Sequence, residues 1–208
     1  MTGLTDFQAE VARLFFSLPA ADGFLLAGGG ALLASGLTTR PTEDLDFFGE
    51  RGRSDVTAVR EQLEAAALAR GWKIDRVQVS ESFARLHVHG EGDVLVDIAI
   101  DVTAGHPPVV SIVGPTFDPE ELAGRKLVAL FDRAEARDFA DVFVLAQRFG
   151  KEVLMQRAGE VDLGFDRGVL STMMLTIERF SDDELPLPAE VAAELRRFFR
   201  DWASELAS

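Results

Sequence analysis

The stretch AGGGALLASGLTTRPTEDLDFF, Ala27 to Phe48, carries three consecutive glycines, a short apolar run and two aspartates one residue apart. Just before it, GFLLAG reads as a short buried strand. Gly30 to Leu37 then reads as a short helix, and DLDFFG as a second strand closed by Gly49. Glycines between a strand and a helix start let the backbone approach a phosphate and aim free N–H groups at it. Alternation along the second strand sends Asp44 and Asp46 to one face and Leu45 and Phe47 into the core. Two hard oxygen ligands side by side suit Mg²⁺ bridged to nucleotide phosphates. The bland alternative is a turn followed by two solvated acids on an edge strand. A dinucleotide-binding fold fails at the third glycine position, where Leu33 stands, and has no need of the paired aspartates.

Further along, WKIDRVQV, SFARLHVH and VLVDIAID alternate with period two, and GEGD between the last two marks a hairpin turn. Asp97 interrupts the last strand. An acid in an apolar strand must find a partner or a metal, which makes Asp97 the candidate third carboxylate and Asp101, on the same face, the fallback. His87 and His89 face one way from their strand. Without a third ligand nearby they read as surface histidines rather than a metal pair.

Helices flank this region. Thr5 and Gln8 form a capping-box pattern ahead of Phe7, Val11, Leu14 and Phe15. Ser54 is the expected N-cap of a helix through Arg70, with Val56, Val59, Leu63, Ala67 and Leu68 on its apolar side. After GPTFDPEE the chain turns helical: Asp118 and Pro119 open a helix through about Phe131, and a second starts near Asp138 with Phe139, Val142, Phe143, Ala146 and Phe149 as its stripe. Further helices are expected over 166–180 and 188–206. The expected fold is α/β (α+β) with a mixed sheet: an α/β core over 1–114, a helical half over 115–208, and a cleft between them.

The 208 residues, 47% of them hydrophobic, support a real core. The absence of cysteine excludes disulfides and thiolate metal sites. The first residues lack the basic region and cleavage site of a signal peptide, and the longest apolar stretch, Phe24 to Leu37, is interrupted by four glycines. A cytoplasmic protein with no membrane partner is expected. The formal net charge of −14 opposes non-specific binding to nucleic acid. Bases do outnumber acids between Arg125 and Arg157, which gives weak support to a polyanionic partner.

Taken together, GGG, the Arg-x-Thr-x-Asp-x-Asp core of RPTEDLDFF, and RKLVALFDRAEARDFADVFVL resemble the AbiEii-type nucleotidyltransferases. These are toxins of bacterial toxin–antitoxin systems within the polymerase β-like superfamily. The resemblance covers roughly Phe24 to Phe149 and implies a polymerase β-like core. It also implies an NTP-dependent, pyrophosphate-releasing enzyme that uses Mg²⁺ or Mn²⁺ and has a cognate antitoxin. Asp44 and Asp46 match the metal-binding pair, Lys126 the lysine that holds the triphosphate, and Asp141 a further essential acid. Thr42 sits where relatives carry a Ser or Thr that an antitoxin can phosphorylate. Many superfamily members have Gly-Ser where this chain has Gly-Gly, so at Gly29 and Gly30 any phosphate contact falls to the backbone.

From the residues alone, Lys126 is either a point charge for a phosphate or a solvated surface lysine. Arg133 and Arg137 either bind triphosphate or form a solvated face with Glu135 and Asp138. Asp138 reads as a helix N-cap, and Asp141 as a first-turn acid favoured by the helix dipole. The expected reaction moves NMP from NTP to a cellular acceptor, first of all the tRNA 3′ end. Alternatives are a protein hydroxyl, a small hydroxylated antibiotic, or an inactive binding module of the same fold.

Overall fold

A computed structural model describes residues 3–101 and 103–207. The chain divides into two units, Met1–Asp118 and Pro119–Ser208.

The first unit is built on a seven-stranded mixed sheet. Its strands are β1 (Phe24–Ala27), β2 (Asp44–Glu50), β3 (Lys73–Val79), β4 (Phe83–His89), β5 (Asp93–Asp101), β6 (Val109–Val110) and β7 (Pro115–Thr116), in the order β3-β4-β5-β2-β1-β7-β6. β2 is therefore the middle strand, paired antiparallel to β1 and parallel to β5. That overturns the alternative of two acids on an edge strand.

Three helices complete this unit: α1 (Asp6–Phe16), α2 (Gly28–Ala34) and α3 (Val56–Ala69). The Thr5–Gln8 capping box of α1 forms as expected. α3 is capped by Asp55, whose side chain accepts from the Ala58 N–H, while the Ser54 hydroxyl instead accepts from the Glu50 N–H. Leu68, expected on the apolar side of α3, is exposed, because the buried stripe turns away after Ala67.

One face of the sheet packs on helices. Leu45 and Phe47 of β2, Ala84, Leu86 and Val88 of β4, and Val94, Val96 and Ile98 of β5 are buried. Phe15 of α1 stacks on Phe47 with centroids 3.8 Å apart. Period-two alternation then sends Asp44, Asp46, Arg85, His87, His89, Asp93 and Asp97 to the opposite face. β3 loses its alternation at a bulge between Arg76 and Gln78, as edge strands commonly do.

The second unit is helical: α4 (Pro119–Asp132), α5 (Ala136–Phe149), α6 (Lys151–Val161), α7 (Arg167–Leu175) and α8 (Ala189–Leu206). Its core joins Leu127, Phe139, Leu154, Met174, Phe199 and Trp202. Phe139 meets Phe199 edge to face at 5.0 Å. α6, which the sequence pattern does not announce, follows α5 after the single residue Gly150. α4 and α6 approach closely at Gly124, where a Cβ would come 2.7 Å from the Arg157 carbonyl carbon. Asp138 is the third residue of α5 rather than its N-cap; Glu135 takes that position, and the two form a reciprocal capping box. No helix among the described residues is long and apolar enough to cross a membrane.

Candidate active site

Register brings the acids together. Ala27 of β1 pairs with Asp46 of β2, and Asp46 pairs with Asp97 of β5. Asp44 lies two residues along the same face of β2. Asp101 pairs with Glu50 at the far end of the strand, so Asp97 and not Asp101 stands beside the aspartate pair.

Of the three glycines, Gly28 is the one the site requires. It leaves β1 at φ +60°, and a Cβ there would collide with the Asp46 carboxylate. Only glycine combines that left-handed backbone with the missing side chain. At Gly29 a Cβ would stand 2.9 Å from the Thr42 hydroxyl, and at Gly30 3.1 Å from Leu45 Cδ2. Gly29 and Gly30, the expected phosphate-binding pair, thus also keep α2 close to the strand that carries the acids.

The loop before β2 is held from α1. The Gln8 side chain accepts from the Thr5 N–H at 2.9 Å and donates to the Thr42 carbonyl at 2.7 Å. The Thr42 hydroxyl in turn donates to Asp44 Oδ1 at 2.5 Å. Gln8, buried and polar, ties α1 to the loop before β2, a contact beyond the helix cap that the sequence pattern shows.

Asp97 does find a partner. Arg85, its cross-strand neighbour on β4, grips it with a two-pronged fork, Nε to Oδ1 at 2.8 Å and Nη2 to Oδ2 at 2.5 Å. The hydrogen-bonded Asp97 carboxylate, followed by the charges of Asp97, Asp44 and Asp46, raises the Arg85 pKa further above its ordinary value. Asp44, Asp46 and Asp97 thus lie together on this face, with the Arg85 guanidinium on Asp97. The arginine is 43% exposed. The donor set suits a hard divalent cation, since every carboxylate offers oxygen only, and the bare Gly28 backbone makes room for the Asp46 carboxylate.

In the helical unit Lys126 is not a solvated lysine. Its ammonium lies 2.9 Å from Asp141 Oδ2, with side-chain exposures of 9% and 0%. Asp141 is thus the buried counter-ion of Lys126, not merely a first-turn acid. Arg133 forks the buried Asp138 at 2.9 and 3.1 Å, and Arg137 donates to Glu135 at 2.8 Å. The excess of bases in this stretch is largely engaged: Arg125 bonds Glu121, Lys151 bonds Glu205, and Arg157 bonds Glu120 and Glu160.

The family described as nucleotidyl transferase AbiEii toxin, type IV TA system, matches residues 12–207. The chain belongs to the AbiEii family of nucleotidyltransferase toxins. No curated protein sequence is significantly similar to it. Solved structures that resemble this AbiEii chain in fold include the following three. JHP933 from Helicobacter pylori is 20% identical with a TM-score of 0.57, covering 98% of this chain and 95% of that one. MenT4, a nucleotidyltransferase toxin from Mycobacterium tuberculosis, is 18% identical with a TM-score of 0.65 over 96% of this chain and 82% of its own. The antibiotic-resistance factor ANT(2'')-Ia is 17% identical with a TM-score of 0.50 over 74% of this chain and 90% of its own. The α/β fold with a mixed sheet expected from the sequence is borne out, and the chain is a nucleotidyltransferase by family.

Proposed function

We propose that this AbiEii nucleotidyltransferase transfers NMP from NTP to the tRNA 3′ end, with Asp44, Asp46 and Asp97 as its working carboxylates. The observation that carries the site is the close fit of Gly28 beneath Asp46, in register with Asp97. Asp44 and Asp46 would hold Mg²⁺ or Mn²⁺, which when bound neutralises the triphosphate and polarises the transferring phosphoryl group.

The acceptor hydroxyl oxygen forms a bond to the α-phosphorus, the bond from that phosphorus to the bridging oxygen breaks, and pyrophosphate leaves. Asp97 takes the hydroxyl proton, and Arg85 fixes the orientation of its carboxylate until then. The Gly29 and Gly30 backbone meets phosphate oxygens. For Lys126, Asp141 and Arg133 the family resemblance supplies the roles. Lys126 neutralises charge on the leaving phosphates while Asp141 holds its ammonium, and Arg133 adds positive charge for the triphosphate. Catalysis is then positioning plus electrostatic stabilisation.

The toxin family implies a cognate antitoxin. Thr42 is the proposed control point. Its hydroxyl already touches Asp44, so a phosphate there would set like charge against the metal-binding pair.

The test incubates wild-type and Asp46→Asn protein with Mg²⁺, each α-labelled NTP in turn, total tRNA and a lysate fraction. Label on tRNA, lost in the variant, is the expected result. Label on protein or on a small hydroxylated compound instead would overturn the acceptor assignment. Undiminished transfer by Asp46→Asn would overturn the site.

A further inference from the structure

The sheet face that carries the acids bears a second cluster, farther along β4 and β5. His87 and His89 of β4 and Asp93 of β5 place a ring nitrogen or carboxylate oxygen each within 4.8 Å of one another. The geometry points to a separate transition-metal site of the Zn²⁺ class, ligated by His87, His89 and Asp93. It is independent of the proposed transfer reaction.

The hairpin builds this cluster. His87 and His89 lie two residues apart on one face of β4, and the turn closed by the Gly90 N–H to the Gly92 carbonyl pairs His89 with Asp93. The two imidazole rings sit 4.0 Å apart by centroid. Asp93 Oδ1 lies 2.5 Å from His89 Nδ1 and 3.6 Å from His87 Nε2, so one carboxylate oxygen faces both rings. Around a tetrahedral ion with bonds of about 2.0–2.2 Å, ligand atoms stand roughly 3.3–3.5 Å apart. His87 and His89 are half-buried and Asp93 is exposed, so it is the Asp93 carboxylate that would turn to reach that spacing.

An independent feature sits behind the rings. His89 Nε2 lies 3.2 Å from Asp75 Oδ2 on β3, and Lys73 bonds Asp75 at 2.9 Å. A carboxylate on the outer nitrogen fixes the imidazole tautomer that leaves Nδ1 lone-paired toward an ion, the arrangement found behind metal-bound histidines. Two imidazoles and one carboxylate select Zn²⁺, Cu²⁺, Ni²⁺ or Co²⁺ over Mg²⁺. The fourth position stays open to water.

The site is distinct from the acid trio. His87 pairs with Leu95, which pairs with Asp44, so two strand spacings, about 10 Å, separate His87 from Asp44, and Asp93 lies four residues before Asp97 on β5. An ion here would tie β4 to β5 at their hairpin end.

The test titrates Co²⁺, then competing Zn²⁺, into tag-free, EDTA-stripped full-length protein. The expected result is one equivalent of Co²⁺ with visible d–d absorption, displaced by Zn²⁺. His87→Gln and His89→Gln should each abolish the absorption with far-UV circular dichroism unchanged. Asp75→Asn should weaken binding about tenfold, and Asp44→Asn/Asp46→Asn should leave it intact. Histidine side-chain NMR of the wild type gives a readout that needs no variant: Zn²⁺ should shift the His87 and His89 ring signals together. Absorption that survives His87→Gln/His89→Gln, loss in Asp44→Asn/Asp46→Asn alone, or ring signals indifferent to Zn²⁺ would overturn the site.

Discussion

The two units handle charge in opposite ways. In the helical unit the buried acids are paired with bases, Asp141 with Lys126, Asp138 with Arg133 and Glu121 with Arg125, and Arg157 bonds Glu120 and Glu160. On the sheet of the first unit, Asp44, Asp46 and Asp97 crowd one face with Arg85 as the cation bonded among them. Pairing neutralises a charge inside the chain. Like charges gathered on one face disfavour one another's ionised form, a cost that a nearby cation lowers. The contrast is between charges paired within the chain and like charges gathered on one face, and substitutions on each side can break it.

The largest expected effect lies in the helical unit. Lys126→Met should lower unfolding free energy by about 3–5 kcal/mol, because it strands the buried Asp141 carboxylate. Lys126→Met/Asp141→Leu should recover most of that loss in denaturant titrations yet remain inactive in transfer. Recovered activity would make the pair purely structural.

Next comes Gly28→Ala. Its Cβ would displace the Asp46 carboxylate, and transfer should fall by about 100-fold. Gly36 is the matched control, since it too has a positive φ, +64°, but with nothing within 4 Å. Gly36→Ala should cost about 1 kcal/mol of stability and leave transfer intact. Equal activity losses at both glycines would remove the case for a built cradle.

Arg85→Gln acts on the balance of charge itself. Removing the cation should tighten divalent-ion binding about three- to tenfold, measured with Mn²⁺ by electron paramagnetic resonance. Weaker binding would mean that the hold of Arg85 on Asp97 matters more to the ion than the repulsion from its charge. Smallest is Gln8→Ala, which removes the capping box and the bond to the Thr42 carbonyl. About 1 kcal/mol of stability should be lost, with a modest fall in metal affinity as the Asp44 loop loosens.

Local periodicity made much of the sheet unit legible. Alternation in DLDFFG set Asp44 and Asp46 apart from Leu45 and Phe47, and the Thr5–Gln8 spacing marked the first helix start. What escaped was long-range. Nothing near SFARLHVH says that Arg85 will face Asp97, because that depends on the register of two strands across a turn. The third histidine-site ligand was within reach: with a hairpin turn at GEGD, counting back across it pairs Asp93 with His89. α6 gave little signal because its eleven residues bury only Leu154 and Ala158. β6 and β7, two residues each, are too short to carry a period. The bases between Arg125 and Arg157 looked like a polyanion surface when counted along the chain. In three dimensions their acids lie up to 54 residues away, as in Lys151–Glu205.

The central claim is that the acids on the sheet face form the metal-dependent nucleotide site. Its most direct test is Mn²⁺ binding by electron paramagnetic resonance with a non-hydrolysable NTP analogue, comparing wild type with Asp46→Asn. The account predicts nucleotide-dependent Mn²⁺ binding in the wild type and its loss in the variant, with the fold retained. Equal binding by the two proteins would contradict it and move the nucleotide site elsewhere on the molecule.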